Sequence, residues 1–278
     1  MKNDAAILER VRTALLSQWD ETRRLRRVVL KRCELEDIHD LRVASRRLRS
    51  VLNLVGPLCG GGKASKLSRE IRALTRTLGN LRNLDEAVAF FESHSGEPGL
   101  PGLTERLAER RERERRKTLA ALKEVKPRKL APLVRAIASG ITVECLRERG
   151  VPELSSYLSD TSAALFGTIQ TLLPTALDPE QCTERHALRI AIKKWRYFLE
   201  IVSRVMERDY GPLLDRLKKY QSTLGSMNDM TVFAAMCRKT GAANDELAAA
   251  ERLITGETER LFAEFTALVA AEPLTPPA

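Results

Sequence analysis

The chain has 278 residues, 43% of them hydrophobic and 30% charged, the balance of a folded globular protein with enough length for a substantial core, which argues against disorder. Aromatic residues make up only 5%, while Leu, Ala, Arg and Glu dominate, so the composition favours an all-α chain over strands. The formal net charge of +10 asks for an anionic partner without naming it: nucleic acid, acidic membrane and inorganic or organic phosphates all stay open.

Apolar residues recur at helical spacing over 5–32 and 37–55. The start, MKNDAAILERVRTALL, interrupts them with Asp4, Glu9, Arg10 and Arg12. No later run approaches the roughly 18 uncharged residues of a membrane span. A cytoplasmic protein that does not cross a membrane is expected. Breaks fall at VGPLCGGGK and HSGEPGLPG, where Gly and Pro stop a helix. Helical patterns resume over 63–92 and 104–124, and after VKPRKLAPL another amphipathic stretch runs to Arg149. Beyond RGVPEL follow 155–173, 179–207, 212–239 and 245–271. Asp178 before Pro179 predicts an N-cap and first helical turn, and Gly211 before Pro212 a clean separation of two helices. The tail EPLTPPA is expected to fray. No segment alternates with period two long enough for a strand. Long helices with short connections predict bundle architecture. The five cysteines, Cys33, Cys59, Cys145, Cys182 and Cys237, are odd in number and far apart, as expected of reduced, mostly buried thiols.

IHDLRVASRRLRSVLNLV, residues 38–55, lies over RHALRIAIKKWRYFLEIV, residues 185–202, without a gap. His39 falls on His186, Arg42 on Arg189, Arg49 on Arg196, and Arg46 and Arg47 on Lys193 and Lys194. A second pair follows in the same order, TLGNLRNLD from Thr77 and TLGSMNDMT from Thr223. Two ordered correspondences indicate a duplicated unit. At about 100° per residue, Leu41, Ala44, Leu48, Leu52 and Val55 share one side of the first helix. His39, Arg42, Arg46 and Arg49 share the other. The second copy repeats the division with Leu188, Ala191, Trp195, Leu199 and Val202 against His186, Arg189, Lys193 and Arg196.

A charged helix face is usually a solvated one, but such faces mix signs, because like charges four residues apart weaken a helix. Arg42 with Arg46 and Arg189 with Lys193 are like-charge pairs, so a ligand is the better explanation. TERLAERRERERRKTLAAL, by contrast, alternates Glu with Arg and is assigned to solvent. After CGGGK, Lys63, Lys66, Arg69, Arg72 and Arg76 form a further basic stripe at spacings of three and four, and Lys218 and Lys219 occupy the comparable helix of the second copy. Arginine forks pair bidentately with phosphate oxygens, so phosphate is the favoured anion, and several stripes suit a repeating polyanion. Only Tyr197 and Tyr220 lie near these stripes, too few aromatics to stack bases, although a non-specific backbone binder stays open. Catalysis finds little support: no nucleophile accompanies either histidine, and Ala187 stands where Asp40 stood. His39, His94 and His186 offer no zinc spacing with Cys, so neither a metal nor a cofactor is expected. A histidine heading each stripe is read as a donor to the anion, which would raise its proton affinity.

Together, HDLRVASRRLR, HALRIAIKKWRY, LGNLRNLD and LGSMND resemble the CHAD family, the histidine-bearing α-helical domain, over nearly the whole chain. The resemblance implies two four-helix bundles related by pseudo-twofold symmetry, with basic residues of both copies lining a central groove or pore. Repeat 1 would span about 1–126, an inter-repeat segment 127–150 and repeat 2 about 151–272, within one domain of 1–278. It also implies binding of inorganic polyphosphate and association with polyphosphate granules. With no catalytic centre identifiable in the sequence, a non-enzymatic binder is expected, and a phosphohydrolase is the less favoured alternative. Other phosphate-rich polyanions are further candidate partners, and no specific nucleic acid is expected. Carried onto this chain, the implied ligands are His39, Arg42, Arg46 and Arg49 with His186, Arg189, Lys193, Lys194 and Arg196. Arg47, Lys66, Arg69, Arg72, Arg76, Arg82, Tyr197, Lys218 and Lys219 are additional candidates. The sequence departs from the family pattern at Asn83, where Asp is usual after Arg82. It also shows none of the β-rich pattern of the CYTH triphosphatase domain often joined to such domains.

Overall fold

Amphipathic segments of this length bury their apolar stripe against one another, and a computed structural model, which describes residues 2–58, 61–97, 99–151 and 153–276, shows how they do so. Ten helices follow in order among the described residues, with no strand: α1 (Lys2–Lys31), α2 (Leu35–Leu58), α3 (Gly62–Glu92), α4 (Leu100–Glu124), α5 (Pro127–Ser139), α6 (Val143–Glu148), α7 (Leu154–Ala176), α8 (Cys182–Met206), α9 (Gly211–Cys237) and α10 (Asn244–Ala271). Each of α1 to α4 packs on the next, and so does each of α7 to α10. Matching helices also meet across the two sets, α2 with α8, α3 with α9 and α4 with α10.

The apolar stripes are buried as the helical period predicts. Leu41, Leu48, Val55, Leu188 and Trp195 are all 0% exposed, and truncating any such leucine to Ala costs roughly 2–5 kcal/mol. One apolar cluster runs through both sets, joining Leu48, Leu52 and Phe91 to Leu188, Leu199 and Phe265. A smaller one, built on Val29, Ile38, Leu41, Leu78 and Leu122, seals the opposite end of α1 to α4. α4 keeps Leu100, Leu103, Leu107 and Leu122 inward. Its outer face carries local pairs such as Arg113 with Glu109 at 3.5 Å and Arg115 with Glu112 at 3.5 Å.

Several boundaries differ from expectation. α2 continues through Gly56 and Pro57, since a proline in a helix's last turn forfeits a single ladder bond. Cys59, Gly60 and Pro98, on which two predicted breaks partly rest, lie outside the described residues, as does Pro152 of RGVPEL. α4 begins at Leu100, because Pro101 in its first turn has no N–H to leave unpaired, and Gly99 enters it at φ 90 with Glu246 Cα only 3.6 Å from where a Cβ would sit. The stretch expected to run to Arg149 is two helices, and Thr142 caps the second by accepting from the Cys145 N–H at 3.2 Å. Asp178 does not cap α8. Its Oδ1 accepts from the Glu180 N–H at 3.0 Å in a turn, and α8 starts at Cys182. Buried Arg185 fastens that turn by donating to the carbonyls of Asp178 at 2.5 Å and Pro179 at 2.8 Å.

Nor is the start of the tail frayed. Tyr220 Oη donates to the Glu272 carbonyl at 3.0 Å, Arg216 donates to that of Pro273 at 2.9 Å, and Leu274 packs on the core. Pro277 and Ala278 lie outside the described residues. Cys33 and Cys237 are buried, Cys145 is half-buried and Cys182 exposed, all as free thiols. Cys59 is not among the described residues. No described helix is long and apolar enough to cross a membrane.

Candidate functional site

The duplicated basic helices are α2 and α8, and they pack on each other. Arg47 of α2 reaches Glu200 of α8 at 3.5 Å, and the basic stripes of the two helices act on one another. Lys193 on α8 shows how closely. Its ammonium is pushed down to about 7, first by burial and then by Arg46, Arg189, Arg42 and Arg49, residues of both helices. Arg42 is pushed down to about 10 by burial and then by Arg46, Arg189 and Arg82. It still carries its charge at neutral pH. Arg189 and Arg49 are lowered as well, chiefly by burial, with Arg46 adding to both and Arg72 to Arg49. Arg42, Arg46, Arg49, Arg189 and Lys193 are all half-buried. The basic stripes are therefore walls of one cleft, not two separate solvated faces.

These guanidinium groups are unusually short of partners. Nε of Arg42, of Arg49 and of Arg189 is buried with no hydrogen-bond acceptor among the described residues, and a buried N–H left in that condition costs about 1–3 kcal/mol. None of these three residues, nor Arg46 or Lys193, has an ion pair among the described residues. Glycines shape the space around them. A Cβ on Gly79 of α3 would lie 3.9 Å from Arg42 Nε, and one on Gly225 of α9 would lie 3.9 Å from Arg189 Nε. The buried contact of Ser45 Oγ with Thr75 Oγ1 at 2.9 Å fixes α2 on α3 one turn from Gly79. Side chains larger than alanine at either glycine would strike the arginine. These glycines were visible in the sequence as matching residues in TLGN and TLGS, each costing a helix interior about 1 kcal/mol relative to Ala. That duplicated cost was the signal that could have marked them.

Asp229 of α9 is a second feature that sequence reasoning missed. It is a half-buried carboxylate, raised by burial and opposed by the charges of Arg189, Arg42 and Arg82. In the register that sets Thr77 on Thr223 it stands where the first copy has Asn83. Arg82, matched by Asn228, pairs with Glu86 and is lowered mainly by burial. The histidines diverge too. His39 is half-buried and pushed down by burial and then by Arg82. His186 is exposed, with Nδ1 2.5 Å from Asn228 Oδ1.

Other predicted residues are paired elsewhere, exposed, or line other grooves. Arg196 is buried, its Nη1 donating to Glu200 Oε1 at 2.5 Å and its Nε to Gln221 Oε1 at 2.8 Å, while its guanidinium lies 4.5 Å over the ring of buried Tyr197. Arg47 is an ion-pair partner of the same Glu200 at 3.5 Å. Lys218 pairs with Asp215 and Lys219 with Glu272, at 2.7 and 2.5 Å. Lys194 and Arg76 are exposed. Lys66 faces a different groove, between α3 and α5, beside Lys126 and Lys129. Arg69 and Arg72 line a cleft of about 920 Å3 where α2 ends and α3 begins. Among the described residues no group of three or more His, Cys, Asp or Glu side chains is placed to hold a metal ion.

Comparison with known proteins agrees with this helical path. The family model of the CHAD domain matches residues 13–238. The crystal structure of the CHAD domain from the plant Ricinus communis aligns with a TM-score of 0.66 and 21% identity, covering 97% of this chain and 89% of that one. PptA from Streptomyces chartreusis aligns with a TM-score of 0.69 and 19% identity, covering 95% of this chain and 99% of its own. At such identities the likeness is one of fold. No curated protein matches the chain. With the family model running from within α1 to the end of α9, and the same fold found in a solved CHAD domain, the chain belongs to the CHAD domain family.

Proposed function

We propose that the cleft between α2 and α8 binds inorganic polyphosphate and that the protein acts as a binder without catalysing its hydrolysis. The observation that carries this reading is the set of buried Nε groups on Arg42, Arg49 and Arg189 that find no acceptor among the described residues, beside a Lys193 that burial first, and then the charges of Arg46, Arg189, Arg42 and Arg49, push down to about 7. Phosphate oxygens satisfy both deficits at once: they accept from the guanidinium forks and offset the mutual repulsion. A chain of phosphates reaches successive turns of both helices, so a long polymer gains contacts that orthophosphate does not. Tyr197 and Tyr220, the tyrosines near the basic stripes, are both buried and present no face on which bases could stack. Residues His39, Arg42, Arg46 and Arg49 with Arg189 and Lys193 form the proposed site, and Arg82 and Asp229 flank it. His186, Lys194 and Arg196 stand outside this core set.

The test is a titration with polyphosphate of graded length, duplex DNA and RNA over a salt series, with phosphate release assayed in parallel. Affinity is expected to rise with polyphosphate length and to exceed that for nucleic acid of matched charge. Replacing Arg42, Arg46, Arg189 and Lys193 by Glu should abolish it. Unchanged binding by that variant, with helicity retained, would overturn the reading. Equal affinity for DNA would make the protein a general polyanion binder, and phosphate release dependent on His39 or His186 would make it a hydrolase.

A further inference from the structure

The two copies of the basic stripe share their middle but end differently. On α2 the residue one turn beyond Arg49 is Asn53. Asn53 lines the cleft of about 920 Å3 together with Arg69 and Arg72 of α3 and with Arg149, which ends α6 in the segment between the copies. After burial, Arg72 is the charge that lowers Arg49 most. None of Arg49, Arg69, Arg72 and Arg149 has an ion pair among the described residues, and three of them are exposed. The basic wall thus continues from Arg42 through Arg46 and Arg49 into an open cationic space.

In the second copy each counterpart is neutralised. The residue matching Asn53 is Glu200, and it takes Arg196, the match of Arg49, at 2.5 Å and Arg47 at 3.5 Å. The residues matching Arg69 and Arg72, in the register that sets Thr77 on Thr223, are Asp215 and Lys218, and they pair with each other at 2.7 Å. Gln221, the match of Thr75, completes the enclosure by accepting from Arg196 at 2.8 Å. A carboxylate beside a bound polyanion opposes it, whereas unpaired arginines add to its hold.

We infer that the polyanion track leaves the shared cleft on one side only, past Arg49 over the first copy, and that Arg69, Arg72 and Arg149 form a second anion subsite that only long polyphosphate chains reach. This inference rests on the proposed polyphosphate binding at the α2–α8 cleft. The inter-repeat segment thereby has a role that neither copy supplies: it brings Arg149 to the open end. The subsite makes the protein a reader of chain length, because a short oligophosphate is held by Arg42, Arg46, Arg189 and Lys193 without touching it.

The experiment compares wild type with Arg69→Ser/Arg72→Ser/Arg149→Ser and with Asn53→Glu, which places in the first copy the carboxylate found in the second. Long-chain polyphosphate and tripolyphosphate are each titrated over a salt series. For the triple variant the long-chain affinity is expected to fall at least tenfold and its log–log salt slope to become shallower by roughly 2, as three contacts on a flexible polyanion would give at ~0.7 each. Tripolyphosphate affinity should change less than twofold. Asn53→Glu should lower long-chain affinity in the same selective way, and Lys218→Ser, in the neutralised copy, should leave it unchanged. If the triple variant keeps the wild-type salt slope, or loses both ligands equally, the one-sided track is wrong while the cleft reading survives. If wild type binds neither ligand, the underlying reading falls instead.

Discussion

Raising the pH from about 6 to about 9 should weaken polyphosphate binding, because Lys193 enters the free cleft largely as a neutral amine once neutrality is passed. Burial and the charges of Arg46, Arg189, Arg42 and Arg49 hold it down to about 7, against an ordinary 10.5. A bound polyanion cancels the repulsion and favours the ammonium, so the bound-state value moves back up and binding takes up a proton. Full affinity therefore lies below the free value and is lost as pH climbs from it toward the bound value. At pH 8 about nine in ten free molecules hold a neutral Lys193, which makes the affinity about tenfold weaker, or about 1.4 kcal/mol. Stability of the unliganded fold runs the other way, since the unfolded lysine keeps its proton longer and unfolding becomes less favourable as pH rises through the same window. Calorimetric titration in buffers of different ionisation enthalpy counts the protons directly at constant ionic strength. Lys193→Arg stays charged throughout and should flatten the profile. A wild-type affinity that is level over this range, or a Lys193→Arg protein that keeps the slope, would refute the reasoning.

Gly79→Leu should displace Arg42 and cut polyphosphate affinity at least tenfold with far-ultraviolet circular dichroism unchanged. Gly79→Ala, whose Cβ stands 3.9 Å from Arg42 Nε, should bind normally and melt a few degrees higher, since Ala favours the helix by about 1 kcal/mol. Glu200→Ala strands Arg196, whose side chain is only 10% exposed, and should destabilise the fold by about 3 kcal/mol in denaturant titration. Trp195→Ala removes a side chain that is 0% exposed and donates to Ser162 Oγ at 3.0 Å. A loss of about 3–5 kcal/mol is expected, against about 1–2 kcal/mol for Trp195→Phe, which keeps most of the volume and forfeits the hydrogen bond.

Much of the molecule was legible without coordinates. Helical period alone placed Leu41, Leu48 and Val55 inward and Arg42, Arg46 and Arg49 together, because side-chain direction along a helix is a local property. The internal repeat named the matching residues of α8. Some of what was passed over was local too: Arg196 with Glu200 and Asp215 with Lys218 stand at helical pair spacing, so these ion pairs were readable from the sequence. Helix starts at Cys182 and Leu100 were less accessible, since a single cap or proline is compatible with more than one first turn.

Other decisions belonged to the tertiary structure. Lys219 finds Glu272 only because the tail folds back over α9. Gly79 and Gly225 acquire a purpose only when α3 and α9 are laid against Arg42 and Arg189. The sequence by itself determined the helices, their apolar faces and the paired basic stripes. Which cations remain unpaired, and how strongly they repel one another, was decided when α2 met α8. Charge interaction depends on distance and burial across the fold, and neither is encoded in the spacing along one helix.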